Sequence, residues 1–451
     1  MVKIMFQLFD RADRSNSTSF LGDLLAKVSD IGKLLGTDKK MSDTTLLEHC
    51  ENLMAKQGEA TGLAQSIYIL DAYEQLSKEE KLEFFQGLQD DFGPDKNKLN
   101  KAIEAWHEDQ SEAKARALHF VAEPKSQDLI RRLNQASNST MRLVNMRTDL
   151  LRLIRQNPAL KSLDQDFSHL FRSWFSRGFL QLQRISWETP ATILEKIIAY
   201  EAVHKIDSWD DLRLRVAAPD RRLYGYFHPA LGMEPLIFVE VALTSDTPNA
   251  INPILSDTRE QLNPSEATRA VFYSISNCQN GLRGISFGNF LIKQVVESLR
   301  QEFSNLKTFV TLSPTPSFRP WALQQLDQQE ASITEEERIF IQQLEQEKAN
   351  GTLHQFLQDD ARMTKLLAKY LVNTRSPRGG ASDPVSRFHL GNGAQLEKVH
   401  ALADTSDNGI ENSWGCMVNY QYRIRDIETN HEAYVNGDEV IVSSAVSALL
   451  K

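Results

Sequence analysis

Cysteine is nearly missing: Cys50, Cys278 and Cys416 are scattered over 451 residues. An odd set so widely spaced excludes a disulfide framework and suits a reducing compartment. No apolar run approaches the roughly 20 residues that a membrane helix needs. Positive charge is also short, with a formal net charge of -9 and a pI of about 5.7. That excludes a broad nucleic-acid surface, so an anion must be bound locally, by backbone N–H groups or a few Arg and Lys. Neither Cys nor His occurs as a close ligand pair, and there is no H-E-x-x-H, P-loop or G-x-G-x-x-G. Metal, NTP and dinucleotide sites lose their main support. Met1 to Ser15 carries charge inside its apolar stretch, including Asp10 and Asp13, and has no signal-peptide core. The ending Ala448-Leu449-Leu450-Lys451 is not a peroxisomal Ser-Lys-Leu. A cytoplasmic location without a membrane is the expectation. Repeats and low-complexity tracts are absent too.

What remains is an ordinary globular composition, 41% hydrophobic and 25% charged, on a chain long enough for two or three domains. Residues 1–175 read as helices. Phe20, Leu21, Leu24, Leu25, Val28, Ile31, Leu34 and Leu35 fall at helical spacing, with Gly36 as a stop. Ser77 and Glu80 spell a capping box before Leu82, Phe85 and Leu88, and Gly93-Pro94 ends that run. Leu99, Ile103 and Trp106 open another amphipathic stretch, and Leu150–Ile154 and Leu170–Phe179 continue the pattern. No chemical motif occurs here, so a helical scaffold or oligomerisation module is expected.

Residues 176–451 change pattern. Strands are expected at Arg222–Phe227, Leu236–Leu243 and Val271–Ser276. A polar, Gly-containing loop, Asn277–Asn289, precedes one amphipathic helix marked by Ile292, Val295, Val296, Leu299, Phe303 and Leu306. Phe309–Leu312 returns as a strand. Strands, Gly loop, helix and strand predict an α/β or α+β domain with a strand–helix–strand crossover. A helical insertion spans about residues 323–373, with Thr334 and Glu337 as its capping box. A breaker-rich loop, Ser376–Pro384, then delivers His389 beside Gly391-Asn392-Gly393. Cys416–Ile424 is the last strand expected.

Chemistry concentrates at three points. Arg283-Gly284-Ile285-Ser286-Phe287-Gly288 precedes the amphipathic helix. A Gly-rich turn opening a helix offers free N–H groups and the positive end of the helix dipole, which suits a pyrophosphate. Arg-x-x-x-x-Gly in this position resembles the coenzyme A loop of the acetyltransferase (GNAT) fold. The same residues match the G-x-S-x-G nucleophile elbow, with Ser286 as nucleophile. The elbow needs a strand running straight into it, and Asn277-Cys278-Gln279-Asn280-Gly281 is polar and loop-like. Ser313 ends the strand after the helix, where ligands meet α/β sheets. Taken singly, Ser313 and His389 also fit a turn cap and a structural histidine.

Together these segments resemble the malonyl-CoA decarboxylase family. The likeness runs through Phe238–Thr244, Phe272–Ser276, Gly281–Gly284, Gly288–Lys293, Leu312–Pro314, Phe388–Ala394 and Met417–Tyr422. Upstream it takes in Trp174-Phe175, Gly178–Leu180 and Glu201–His204, and it thins over the N-terminal helices. The resemblance implies an all-helical oligomerisation domain, 1–175, followed by an acetyltransferase-like (GNAT) catalytic domain, 176–451. It implies conversion of malonyl-CoA to acetyl-CoA and CO2 without metal or other cofactor, by a homotetramer. It implies Ser313 and His389 as the catalytic pair. For CoA and substrate it implies Arg283, Gly284, Ile285, Ser286, Phe287, Gly288 and Asn289, together with Ser313, His389 and Tyr422. Some members carry an acidic residue at the position of Ser286. An ordinary histidine pKa, near 6.5, would let His389 give a proton near neutral pH. An acyl-CoA hydrolase or acyltransferase using the same CoA site is the alternative.

Overall fold

The structure, a computed structural model, describes residues 45–451 apart from 56–57, 286–289, 329–331, 359–360, 378 and 438. The helix expected over Phe20–Leu35 lies outside the described residues. Contacts divide the chain into two compact units. The first holds the residues up to Ser176, Ala230–Gly232 and the described part of Gln279–Ser286; the second holds Arg177–Pro229, Met233–Cys278 and Phe287–Lys451.

The described residues of the first unit form helices and short turns. These are α1 (Leu46–Met54), α2 (Glu59–Gln75), α3 (Lys78–Asp91), α4 (Lys96–Glu108), α5 (Glu112–Ala122), α6 (Lys125–Leu133), α7 (Ser139–Leu153) and α8 (Lys161–Trp174). The expected capping box starts α3: Glu80 N donates to Ser77 Oγ at 3.2 Å, and Ser77 N donates to the Glu80 carboxylate at 2.7 Å. The helix then buries Phe84, Phe85 and Leu88. Tyr73 of α2 meets the two Phe rings at 5.5 and 5.8 Å. Each such ring contributes about 1.5–3 kcal/mol by leaving water. By contrast α4 and α5 bury none of their residues, and Phe120 is 73% exposed.

The second unit is built on a mixed sheet. Its strands are β1 (Gln181–Ile185), β2 (Arg221–Phe227), β3 (Pro235–Thr244), β4 (Arg269–Asn277), β5 (Thr308–Thr311), β6 (Ser313–Pro314), β7 (Gln395–His400) and β8 (Met417–Gln421). The order is β1-β2-β3-β4-β5-β8-β6, with β7 also on β8. Strands β1 to β4 are antiparallel neighbours. The crossover from β4 through α9 (Phe290–Glu302) makes β4 and β5 parallel, as the strand–loop–helix–strand pattern predicts. This is an α+β domain, as expected, with a mixed sheet and helices.

Every residue of β2 is buried, and β3 is buried except at Thr244. That is why β3 reads as a near-continuous apolar run rather than an alternating one. Ile193, Ile197 and Leu212 cover this part of the sheet beside Leu223 and Phe238. The insertion is helical over Phe318–Asp327, Glu335–Asn350, Leu353–Leu357 and Ala361–Asn373, and Thr334 with Glu337 caps its second helix as expected.

Candidate active site

Parallel pairing of β4 with β5 runs only from Arg269↔Thr308 to Phe272↔Thr311. Beyond Phe272 the register of β4 against β3 also slips, Glu240 pairing with Ser274 and Val241 with Phe272, so Tyr273 is a bulge residue. After Thr311 the chain leaves β5, and Ser313 pairs instead with Val418 of β8. Two neighbouring strands that part company leave a gap at their C-terminal ends, where sheets of this kind bind ligands. The gap is a cleft of about 210 Å³. Phe272, Ile275, Val203, Val385 and Phe388 give it apolar walls, and Asn277, Ser313 and His389 bring polar groups to it.

His389 reaches the cleft from a helix, α10 (Pro384–Gly391). From the sequence a loop is expected over Ser376–Pro384, and no helix is expected after it. The helix forms because Asp383 caps it, accepting from Val385 N at 2.9 Å and Ser386 N at 3.1 Å, and because Pro384 fills the first turn, where no N–H is needed. Gly393 ends it with φ of 79°, and a Cβ there would lie 2.0 Å from the Ile427 carbonyl oxygen. Burial of Asp383 raises its carboxyl pKa to about 6, against the pull of the three N–H groups it accepts, Ser317 N among them.

Ser313 and His389 come together. Ser313 Oγ lies 3.1 Å from His389 Nε2, and its hydroxyl donates to Thr311 Oγ1 at 2.8 Å. His389 Nδ1 lies 2.8 Å from the Tyr422 hydroxyl. The Tyr420 ring stacks on the imidazole at 4.7 Å, and its own hydroxyl meets Ser386 Oγ at 2.6 Å. His389 is 3% exposed and Ser313 5%. Burial alone pushes the imidazole pKa down to about 3, which overturns the ordinary value near 6.5 expected from sequence. The imidazole is therefore neutral. With Ser313 donating to Thr311, the consistent tautomer has Nε2–H donating to Ser313 Oγ and the Tyr422 hydroxyl donating to Nδ1. Tyr422 stands behind His389, 2% exposed, as its hydrogen-bond partner.

Thr311, Tyr420 and Ser386 complete this network, and the sequence did not single them out. Glu201 supports the far wall, accepting from Val203 N and His204 N at 2.8 Å and from Ser274 Oγ at 2.9 Å. The serines of Phe272–Ser276 thus anchor the segment that carries Val203.

Of the loop residues, Ser286, Phe287, Gly288 and Asn289 lie outside the described residues. The part before them is well defined within the helical unit. Asn280–Leu282 forms a 3-10 turn, Gly284 turns with φ of 80°, and Ile285 is buried. Arg147 of α7, 2% exposed, donates to the carbonyls of Gly281 at 2.6 Å and Arg283 at 3.0 Å. Asp164 at 2.7 Å and Ser168 at 2.8 Å occupy the rest of its guanidinium. Gly281 is required, because a Cβ would fall 1.8 Å from the Val144 carbonyl oxygen. Strand β4 ends at Asn277, so no strand runs into Ser286.

The family model for the malonyl-CoA decarboxylase C-terminal domain matches residues 178–451, and that for the N-terminal domain matches 92–175. The chain belongs to the malonyl-CoA decarboxylase family. Family members of known structure are similar along most of their length. A crystal structure of malonyl-CoA decarboxylase from Rhodopseudomonas palustris aligns with TM-score 0.84 and 48% identity, covering 89% of this chain and 98% of that one. One from Cupriavidus metallidurans aligns with TM-score 0.67 and 32% identity, over 90% and 99%. The mitochondrial malonyl-CoA decarboxylase of Anser anser anser is 34% identical over 391 residues, 79% of this chain and 77% of that protein. All three family relatives carry the name of a carboxy-lyase. Among the described residues no helix is long and apolar enough to cross a membrane, and no cluster of His, Cys, Asp and Glu is arranged to hold a metal ion.

Proposed function

We propose that the chain decarboxylates malonyl-CoA to acetyl-CoA and CO2, with Ser313 and His389 as the catalytic pair. The observation that carries this reading is the 3.1 Å contact of Ser313 Oγ with a buried, neutral His389 at the mouth of an apolar cleft. Family membership supports the substrate.

The chemistry follows from the lining. A carboxylate among Val203, Phe272, Ile275, Val385 and Phe388 loses hydration, whereas CO2 does not need any. Breaking the C–C bond releases neutral CO2 and leaves its electron pair on C2 and the thioester oxygen. The Ser313 hydroxyl turns from Thr311 to that oxygen; one such donor is typically worth about 10²–10³ in rate. The enolate is a far stronger base than imidazolate, so the neutral His389 gives C2 its proton from Nε2 and regains one from water afterwards. Tyr422 fixes the tautomer that keeps this proton on Nε2.

In the same reading, the segment Arg283–Asn289 holds the CoA pyrophosphate, since it begins with a fixed Gly turn and leads into the N-terminus of α9. The chain acts without a cofactor as a homo-oligomer, a tetramer in which the exposed α4 and α5 meet further copies. Product analysis tests the reaction. Malonyl-CoA should yield acetyl-CoA and CO2 with no acceptor added. Free CoA with malonate would sink the proposal and favour a hydrolase using Ser286; turnover only with an added acceptor would favour an acyltransferase.

A further inference from the structure

The helical unit carries a second concavity that the acyl chemistry leaves unused. It is a cleft of about 360 Å³ lined by Thr148, Leu151, Arg152, Arg155, Asn280 and Arg283. The first four recur at i, i+3, i+4 and i+7, so α7 and the turn after it turn one face to this cleft. Its volume falls in the range of small-molecule sites, about 300–1,000 Å³.

Charge distinguishes the cleft. Three guanidiniums line it and no carboxylate does, on a chain with net charge -9. Arg152 has a partner in Asp149 at 3.3 Å, but Asp149 is also bound by Lys81 at 2.9 Å. Among the described residues Arg155 and Arg283 have no ion pair. Like charges gathered without counter-charges favour an anion between them. The cleft is also rigid on the Arg283 side. Arg147 holds the carbonyls of Gly281 and Arg283 against α7, and the missing side chain of Gly281 permits that approach.

We propose that this cleft binds the ribose 3′-phosphate of the CoA thioester. The inference rests on the CoA reading above and extends it to the nucleoside end. A phosphate monoester is dianionic near neutral pH and takes two-pronged hydrogen bonds from guanidiniums. Arg152 meets it from α7, Arg155 from the turn after α7 and Arg283 from the turn at Asn280–Gly284. The Asn280 amide can add a donor, and Leu151 gives the nucleoside an apolar wall.

CoA and dephospho-CoA differ only in this phosphate, so calorimetric titration with each separates the possibilities. Wild type should bind CoA more tightly than dephospho-CoA. Arg155→Glu should weaken CoA binding about tenfold or more, the scale of a charge-assisted hydrogen bond reversed into repulsion, and shift dephospho-CoA binding less than about twofold. Arg155→Lys should retain part of the preference. Equal losses for the two ligands, or no loss for CoA, would overturn the proposal. Arg155 is exposed, and an unchanged melting temperature confirms that the variants fold. Malonyl-CoA turnover is measured on the same wild-type sample. Selective loss of CoA binding without any wild-type turnover would reject the decarboxylase reading and leave the phosphate site standing.

Discussion

The cleft at Ser313 is walled by apolar side chains around a neutral imidazole, whereas the cleft at Arg283 gathers three guanidiniums and no carboxylate. On the proposed function, the first strips a carboxylate of water and the second offers charge to an anion that stays solvated on one side. The contrast separates two tasks that any enzyme acting on a large charged carrier must combine. Chemistry gains from low dielectric, because hydrogen bonds to a developing oxyanion strengthen there. Holding the carrier gains from exposed cations, which cost little to keep charged in water.

The largest expected effect tests the division of labour directly. Ser313→Ala and His389→Ala should each lower kcat by about 10²-fold or more, while CoA binding changes little. Ser286→Ala should leave most turnover in place, since a backbone N–H survives the substitution. Steady-state kinetics on the three variants decides: a dead Ser286→Ala beside an active Ser313→Ala would break the comparison. Next comes Arg147→Ala, which strands the carbonyls of Gly281 and Arg283 and leaves Asp164 unpaired. Loss of a buried charged donor typically costs about 3–5 kcal/mol, and the partial exposure of Asp164 puts the expectation near the lower end. Urea unfolding measures it; a loss under about 1 kcal/mol would show that the turn needs no clamp.

The smallest effect concerns pH. Because His389 is held near 3, kcat should show no inflection near 6.5. Asp383, raised to about 6, caps the helix of His389, so a clear step near 6.5 that persists in Asp383→Asn would contradict a neutral imidazole. Stability gives the same information with a definite sign. Between about 6.5 and about 3 the unfolded chain protonates this histidine and the folded chain does not, so stability falls as pH drops through that window. His389→Gln removes the contribution. Burial raises Asp383 to about 6 and Glu240 to about 7, which acts in the opposite sense, but both remain in the variant. The difference between wild type and variant should therefore shrink towards acid; a constant difference would refute the depressed value.

Much of the frame was legible. Ser77 with Glu80 and Thr334 with Glu337 announced their helices, because a capping box is a local event. Strands β2 to β5 were legible from strand-forming residues and apolar runs. Strand β1, Gln181–Ile185, was not, since an edge strand exposed along most of its length carries no apolar signal. Strand β7, Gln395–His400, was missed as well. The helix that carries His389 was hidden by the breakers before it, although Asp383-Pro384 is itself a start signal. Ser313 and His389 were found as isolated candidates, but their contact joins residues 76 apart in sequence, and no local pattern encodes that distance. Arg147 gave no signal at all; an arginine on a helix reads as solvated until its partners are known.

The Arg147 clamp also has a consequence for how the chain can be cut. Its bond to Gly281 spans 134 residues, so the turn at Asn280–Gly284 acquires its shape only after that long circuit of chain has closed. A fragment starting after Ser176 would keep the letters of the turn and lose the guanidinium that sets them. Its strands could assemble, yet Gly281 would become a flexible spacer, since a glycine without its neighbour has the most freedom to lose. Excising the helices would thus erase a piece of the downstream sequence without deleting a residue of it.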